Sequence, residues 1–176
     1  MKYSNLVKSA LPAAVLGFLA LGFASTSAYA TTTNTGTFVV STVVSTSCSI
    51  APTALTFPTY IGAVTSASTT IAITCNAAPT NGYTVGLNGG TSGGSDTARM
   101  MAGQGAAAGN TLNYKLCSDS STCATNWGNT SGTGAVVVPS GSGIGSQTLT
   151  VYGQIPAAQT SPQGTYADTV TASITY

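Results

Sequence analysis

Short segments in which apolar and polar residues alternate recur along the chain and predict β-strands. Alternation with a period of two places successive side chains on opposite faces of a strand. No comparable helical period follows residue 30. The pattern therefore predicts about seven short strands divided by turns, an all-β fold typical of a β-sandwich. The segments are residues 35–47 (TGTFVVSTVVSTS), 68–75 (STTIAITC), 83–87 (YTVGL), 111–117 (TLNYKLC), 136–138 (VVV), 146–155 (SQTLTVYGQI) and 164–176 (GTYADTVTASITY).

Three segments carry a weaker pattern. Residues 51–60 are interrupted by Pro52 and Pro58, which predicts a short strand or a bend. Residues 89–109 are rich in glycine and alanine, so we expect a loop or a weak edge strand there. Residues 156–164 are predicted to form a loop that leads into the last strand.

The last predicted strand raises the question of its neighbour. Tyr166, Val170, Ile174 and Tyr176 share one face with Ala172, while threonine and serine occupy the other face. A half-buried strand needs both of its edges paired or protected. The alternation continues to the end of the sequence, and we expect a second chain to pair with this strand.

The N-terminal segment has the pattern of an export signal. Two lysines precede an apolar run over residues 10–24, and residues 28–30 (AYA) fit a signal peptidase site. A transmembrane anchor is the alternative, but the run is short and contains Pro12. We therefore expect a signal peptide over residues 1–30 and a single mature domain over residues 31–176.

Charged residues are scarce beyond this signal. They are Arg99, Lys115, Asp96, Asp119 and Asp168. No basic patch could neutralise phosphates, so nucleic acid is not an expected partner. So weakly charged a surface offers little electrostatic resistance to self-association.

The residue types also argue against an enzyme. The sequence has no histidine and its three acidic residues are all aspartates, which removes triads, histidine-zinc sites and paired glutamates. Lys115 lacks the SxxK pattern of a serine–lysine pair. Trp127 is expected in the core or as a loop anchor, with carbohydrate stacking as the alternative. We expect no catalytic residues, no metal and no cofactor.

Four cysteines should form disulfides after export, since an even number in an oxidising compartment favours them over metal ligation. Three pairings are possible. Cys48–Cys75 and Cys117–Cys123 are preferred because each closes a local loop.

Several segments together resemble one family, the spore coat U domain proteins, which include subunits of archaic chaperone-usher pili. Two features depart from the family pattern: the cysteines at 117 and 123, and the glycine-rich residues 89–109. The matching segments, in family order, are STSCSI (45–50), IAITC (71–75), LNYKLCSD (112–119), WG (127–128), VYGQIP (151–156) and GTYADTVTASITY (164–176).

The resemblance implies an incomplete immunoglobulin-like sandwich of the pilin type, completed by a donor strand from the next subunit. Its partners would be identical or related pilins, a periplasmic chaperone and an outer-membrane usher. Residues 31–44 are the candidate donor strand, with Phe38 and Val40 as anchors and Val39 and Val43 on the opposite face as alternatives. The terminal strand would form the chaperone and donor-strand groove through Tyr166, Val170, Ile174 and Tyr176.

The implied function is a structural subunit of a surface pilus that supports adhesion and biofilm formation, exported through the periplasm to the cell surface. The alternative is a secreted coat or binding module that fills its groove with its own N-terminal segment.

Overall fold

The structure is a computed structural model that describes residues 30–130, 134–138 and 144–176. The expected signal peptide, apart from Ala30, lies outside the described residues. The chain divides into two units, Met1–Ser41 and Thr42–Tyr176, and the sandwich belongs to the second. In the described part of the chain, no helix is long and apolar enough to cross a membrane.

The described residues form strands and one short 3₁₀ turn at Gly105–Ala107. The strands are β1 (Cys48–Pro52), β2 (Thr65–Cys75), β3 (Tyr83–Leu87), β4 (Arg99–Gln104), β5 (Thr111–Cys117), β6 (Val136–Val138), β7 (Gly145–Ile155), β8 (Thr165–Ala167) and β9 (Ala172–Thr175).

The strands form two antiparallel sheets. A six-stranded sheet has the order β1-β2-β7-β5-β4-β8, and a three-stranded sheet has the order β6-β3-β9. The β2–β7 pair is the longest ladder, running from Thr65 opposite Ile155 to Cys75 opposite Gly145. Side chains from the inner faces of both sheets make the core. Its most deeply buried members are Ile71, Ile73, Cys75, Tyr83, Val85, Leu87, Trp127 and Ile155.

The alternation read from the sequence accounts for the central strands. In β2, Ile71, Ile73 and Cys75 are buried, whereas Thr70 and Thr74 are exposed and Ala72 is half-buried. In β5, Leu112, Tyr114 and Leu116 alternate with exposed residues in the same way. Such period-two burial is typical of sheets with one face against a core.

Residues 35–47, predicted to be a strand, form none before Cys48. Phe38 and Val40 are 85% and 82% exposed, and Val43 is 88% exposed. A strand is stabilised by hydrogen bonds to a neighbour, so an alternating sequence alone does not form one.

The glycine-rich residues 89–109 contain β4, which is neither a loop nor an edge strand. β4 pairs with β5 through Arg99 opposite Tyr114, and with β8 through Ala102 opposite Ala167. Residues 89–98 form the expected loop, but the prediction was wrong for residues 99–104, because Arg99 and Met101 supply buried side chains while glycines on either side obscure the alternation.

The terminal segment, predicted as one strand, is two. β8 pairs with β4 in the six-stranded sheet, and β9 pairs with β3 in the other sheet. The chain changes sheets over residues 168–171, which we call the crossing. Both β8 and β9 are edge strands of their sheets among the described residues.

The structure contains both disulfides that were preferred from the sequence. Cys48–Cys75 joins the first residue of β1 to the last residue of β2, which face each other in the ladder. Cys117–Cys123 closes the hairpin that follows β5.

The two disulfides should differ in their contributions to stability. Replacing Cys48 and Cys75 with alanine removes a link between residues 27 apart, and should lower the free energy of unfolding by about 3.5 kcal/mol. Replacing Cys117 and Cys123, which are 6 apart, should cost about 2 kcal/mol because the closed loop is shorter. Urea unfolding of the two variants measures both values; equal losses would contradict the loop-length explanation.

Candidate binding groove

The two sheets differ in width, and this leaves a groove in the sandwich. Three strands span about half the width of six, so part of the inner face of the larger sheet has no strand opposite it. A cavity of about 1080 Å³ lies over this region. We call it the groove. Its floor consists of buried apolar and aromatic side chains of the larger sheet: Ile71, Met101, Leu112, Tyr114, Leu116, Val151 and Ile155. Leu87 of β3, in the smaller sheet, also lines the groove.

Two segments form the walls of the groove: residues 52–60 on one side and residues 161–170 on the other. The floor side chains are at most 9% exposed, so the wall segments bound most of the cavity. The floor therefore contributes narrow apolar strips rather than an open surface.

Gly153 in β7 allows the first wall to pack closely against the sheet. A Cβ atom at Gly153 would lie 2.5 Å from Leu55 Cδ2 and 2.7 Å from Phe57 Cζ. The missing side chain therefore makes room for these two residues. Phe57 also packs edge-to-face on Tyr114, with ring centroids 6.4 Å apart.

The backbone of this wall is not part of a ladder. Thr53 N donates to Thr70 O at 2.9 Å, and Ala158 N donates to Gly62 O at 2.9 Å. Among the described residues, no backbone hydrogen bond joins residues 54–61 to another segment. Their amide and carbonyl groups can therefore pair with an added strand.

The second wall includes the crossing, where Asp168 is the central side chain. Asp168 Oδ1 accepts hydrogen bonds from Thr91 N (2.8 Å), Ser92 N (3.0 Å), Ser92 Oγ (2.9 Å) and Thr169 N (2.9 Å). Asp168 Oδ2 accepts one from the hydroxyl of Tyr114 at 2.7 Å. The carboxylate thus connects the crossing to a loop and to the groove floor.

These contacts change the acidity of both partners. Burial alone would raise the pKa of Asp168, but hydrogen bonds from Tyr114, Ser92, Thr91 and Thr169 outweigh it, and the pKa lies below its usual value. Burial, followed by the hydrogen bond to Asp168 and its negative charge, raises the pKa of Tyr114. Asp168 is therefore ionised and Tyr114 neutral at pH 7.

A buried arginine fixes the loop beside the crossing. Arg99 is 1% exposed; its Nε donates to Asn88 O at 2.8 Å, and its Nη2 donates to Leu87 O and Trp127 O. Burial lowers the pKa of Arg99, and the charges of Asp96 and Asp168 oppose this effect. The guanidinium therefore links two segments, residues 87–88 and Trp127, through three carbonyl groups.

Trp127 belongs to this buried cluster. It is 1% exposed, and its Nε1 donates to Val85 O at 2.9 Å. The carbohydrate-stacking alternative is wrong because the ring is not accessible. Trp127 lies in the core, which was one of the positions expected from the sequence.

Of the four residues of the terminal strand that were predicted to form the groove, two line it and two do not. Tyr166 and Val170 line the groove. Ile174 does not; it pairs with Val85 in the ladder between β9 and β3 and packs on the core. Tyr176 is 54% exposed and also lies outside the lining.

The sequence interpretation missed the floor and the first wall of the site, and with them Leu55, Phe57, Tyr114 and Asp168. Two signals could have indicated them. Leu55 and Phe57 alternate between two prolines, and Asp168 is the one acid in an otherwise uncharged terminal segment. In the described residues, no group of histidine, cysteine and acidic side chains could hold a metal ion.

The family comparison agrees with the motifs noted above. The Spore Coat Protein U domain matches residues 34–173, which is most of the chain. The chain belongs to the Spore Coat Protein U domain family. Protein U of Myxococcus xanthus is 50% identical over 50 residues, which are 28% of this chain and 26% of that protein.

A solved structure shares the fold. The match is to a chain in the crystal structure of the CsuC–CsuE chaperone–tip adhesion subunit pre-assembly complex, from the archaic chaperone-usher Csu pili of Acinetobacter baumannii. The TM-score is 0.50 at 23% identity, covering 76% of this chain and 40% of that one. The chain thus spans less than half the length of either relative. The likeness confirms the predicted all-β, immunoglobulin-like sandwich of the pilin type.

The pocket that receives Asp168 gives a sharp test of the crossing. Gly90 has φ of 83°, and a Cβ there would collide with the Asp168 carboxylate. Gly93 has φ of 89° in the same loop, but a Cβ there would meet nothing within 4 Å. Gly93→Ala should cost about 1–2 kcal/mol of stability through its left-handed backbone.

Gly90→Ala should cost about 2 kcal/mol more than this control, because it also displaces hydrogen bonds to a charged group. Urea unfolding of both variants gives the difference. Equal losses would show that the carboxylate is not held as described.

Proposed function

We propose that this protein is a structural subunit of a chaperone-usher surface pilus and polymerises by donor-strand complementation. The observation that carries the proposal is the groove, which combines an apolar floor with a first wall, residues 54–60, whose backbone is not in a ladder. Such a site fits an extended strand with alternating apolar side chains, because backbone pairing and side-chain burial then occur together.

Residues 31–44 are a suitable occupant. They contain no charged residue and no proline, and in an extended strand their apolar residues lie on both faces, with Phe38 and Val40 on one face and Val39 and Val43 on the other. Phe38 and Val40 are almost fully exposed in the single chain. Each large side chain that enters the groove of a neighbour should contribute about 1.5–3 kcal/mol.

This contact would connect different surfaces of the two subunits. One subunit donates its N-terminal segment and the next accepts it in its groove, so the interface is heterologous. Repeating a heterologous contact produces an open filament unless the rotation closes a ring. A pilus shaft is the assembly that this geometry favours.

Chaperone binding and export complete the proposal. The similar solved structure is a complex of a chaperone with a pilus subunit, which supports a periplasmic chaperone as the first partner. A sandwich with an apolar groove needs such protection before assembly. Export through residues 1–30, an outer-membrane usher, and a role in adhesion and biofilm formation are the remaining parts of the proposal.

A second candidate is a self-complemented coat or binding module. One observation favours it: Leu55 and Phe57 of the same chain already pack beside the floor. In this alternative the monomer would be stable without a partner. The two candidates differ in where residues 31–44 bind.

The donor strand can be tested by adding charge to it. Phe38→Asp together with Val40→Asp should abolish SDS-resistant multimers, because carboxylates cannot enter an apolar groove without a large desolvation cost. The chaperone-bound monomer should still fold, since these residues are not part of its core. Gel electrophoresis without boiling, after co-expression with the chaperone, measures both.

Val39→Asp with Val43→Asp is the matched control, since it places the same charges on the opposite face. Loss of multimers only in this second variant would reverse the assigned inward face. Normal polymerisation of both variants, or a stable wild-type monomer that fills its own groove, would contradict donation between subunits.

The groove wall makes a second prediction. Val170 lines the groove, whereas Tyr176 does not. Val170→Ala removes apolar contact worth about 1–2 kcal/mol per interface and should lower the temperature at which multimers dissociate in SDS. Tyr176→Ala should leave that temperature unchanged. If Tyr176→Ala lowered this temperature and Val170→Ala did not, the donor strand would contact the terminal segment near Tyr176 instead.

A further inference from the structure

The crossing is outside both ladders and is held mainly by hydrogen bonds to side chains. β8 ends opposite Ala102 of β4, and β9 begins opposite Leu87 of β3. Val170, between these strands, has no hydrogen-bond partner for its amide or carbonyl within the described residues. The position of this wall must therefore be fixed in another way.

Both ends of the crossing are attached to one loop, residues 88–92. At the first end, Asp168 accepts hydrogen bonds from the backbone amides of Thr91 and Ser92. At the other end, Asn88 N donates to Thr171 O at 3.1 Å, and Thr171 N donates to Asn88 Oδ1 at 2.8 Å. The loop thus acts as a fixed support for the crossing.

The support is itself anchored in the core. Arg99 donates to Asn88 O and is buried between β3 and Trp127. Tyr114 connects Asp168 directly to the groove floor, since its ring lies on the floor and its hydroxyl bonds the carboxylate. Wall, loop and floor therefore meet at a single side chain, Asp168.

We infer that Asp168 is a positioning residue for strand binding: its carboxylate holds the crossing so that Val170 faces the groove with its backbone open to an incoming strand. This inference rests on the proposed function, because the ligand is the donor strand. It adds to that function a residue of the wall that acts by fixing the backbone to which the donor strand pairs.

A carboxylate suits this position better than an amide would. All the groups that approach Asp168 are donors: backbone amides of Thr91, Ser92 and Thr169, and hydroxyls of Ser92 and Tyr114. A carboxylate offers acceptors only, whereas an amide would point an NH₂ group at one of these donors. Hydrogen bonds to an ionised acceptor are also the stronger kind.

The charged and titratable groups around Asp168 are few. Tyr114 faces it from β5, and Arg99 of β4 acts on it through space, while Asp96 acts on Arg99. Because hydrogen bonds lower the pKa of Asp168, its contribution is kept through the ordinary range of an aspartate and is lost only when a more acidic pH protonates the carboxylate. Strand binding should then weaken in acid.

The test uses the chain of residues 31–176 carrying Phe38→Asp and Val40→Asp, so that its own arm cannot fill a groove. A fluorescent peptide of residues 31–44 is the probe, and anisotropy gives its affinity from pH 7 down to the acid range in which the Asp168 carboxylate is protonated. Asp168→Asn should weaken binding at pH 7 at least about tenfold and remove the acid-dependent fall.

Asp119→Asn is the matched control. Asp119 is an exposed carboxylate on the Cys117–Cys123 hairpin, and its pKa is also lowered by backbone hydrogen bonds, from Ser120, Thr125 and Ala124, which outweigh the effect of burial. It does not line the groove. This variant should bind the peptide as the parent does and keep the acid-dependent fall.

Urea unfolding without peptide reports the stability of each variant. If Asp168→Asn binds the peptide as Asp119→Asn does, the inference is overturned. If Asp168→Asn does not fold, Tyr114→Phe decides, since it removes only the hydroxyl bonded to Oδ2; a loss of about threefold supports the inference and unchanged affinity overturns it. If the parent protein itself does not bind the peptide, the proposed function fails, and the inference with it.

Discussion

The structure depends on one constraint: the apolar face of a β-sheet must be covered. Here a six-stranded sheet faces a three-stranded one, so the second layer is too narrow for the first. Residues 52–60 and the crossing cover part of the gap without filling it. A groove with an apolar floor is the consequence, and an extended apolar strand is the ligand that such a groove accepts most readily.

The buried polar interactions lie beside this groove. A buried arginine and a half-buried aspartate are expensive to desolvate, and the chain meets that cost with carbonyl groups around Arg99 and with amides and hydroxyls around Asp168. Neither side chain is positioned to perform chemistry. Their hydrogen bonds lie where the terminal segment leaves one sheet and enters the other.

The alternation of apolar and polar residues predicted much of this fold, but it predicted little of the groove wall that contains the crossing. β2, β5 and β7 follow from alternation because burial on one face repeats every second residue, and both disulfides follow from local spacing. The break in the terminal strand at Asp168 could not be predicted, because its partners Thr91 and Ser92 are 77 and 76 residues away in the sequence. Tyr114 and Met101 likewise become groove residues only when distant strands pair. β4 was missed since flanking glycines, required for close backbone approach, hide its two buried side chains.

The central claim is that residues 31–44 become a strand only in the groove of another subunit. Hydrogen–deuterium exchange followed by mass spectrometry tests it directly, since a ladder protects amides and an exposed segment does not. In assembled multimers these amides should exchange slowly, and in the chaperone-bound monomer they should exchange at the rate of an unstructured peptide. Slow exchange in an isolated monomer would show self-complementation, and fast exchange in the multimer would show that the segment is not the donor strand.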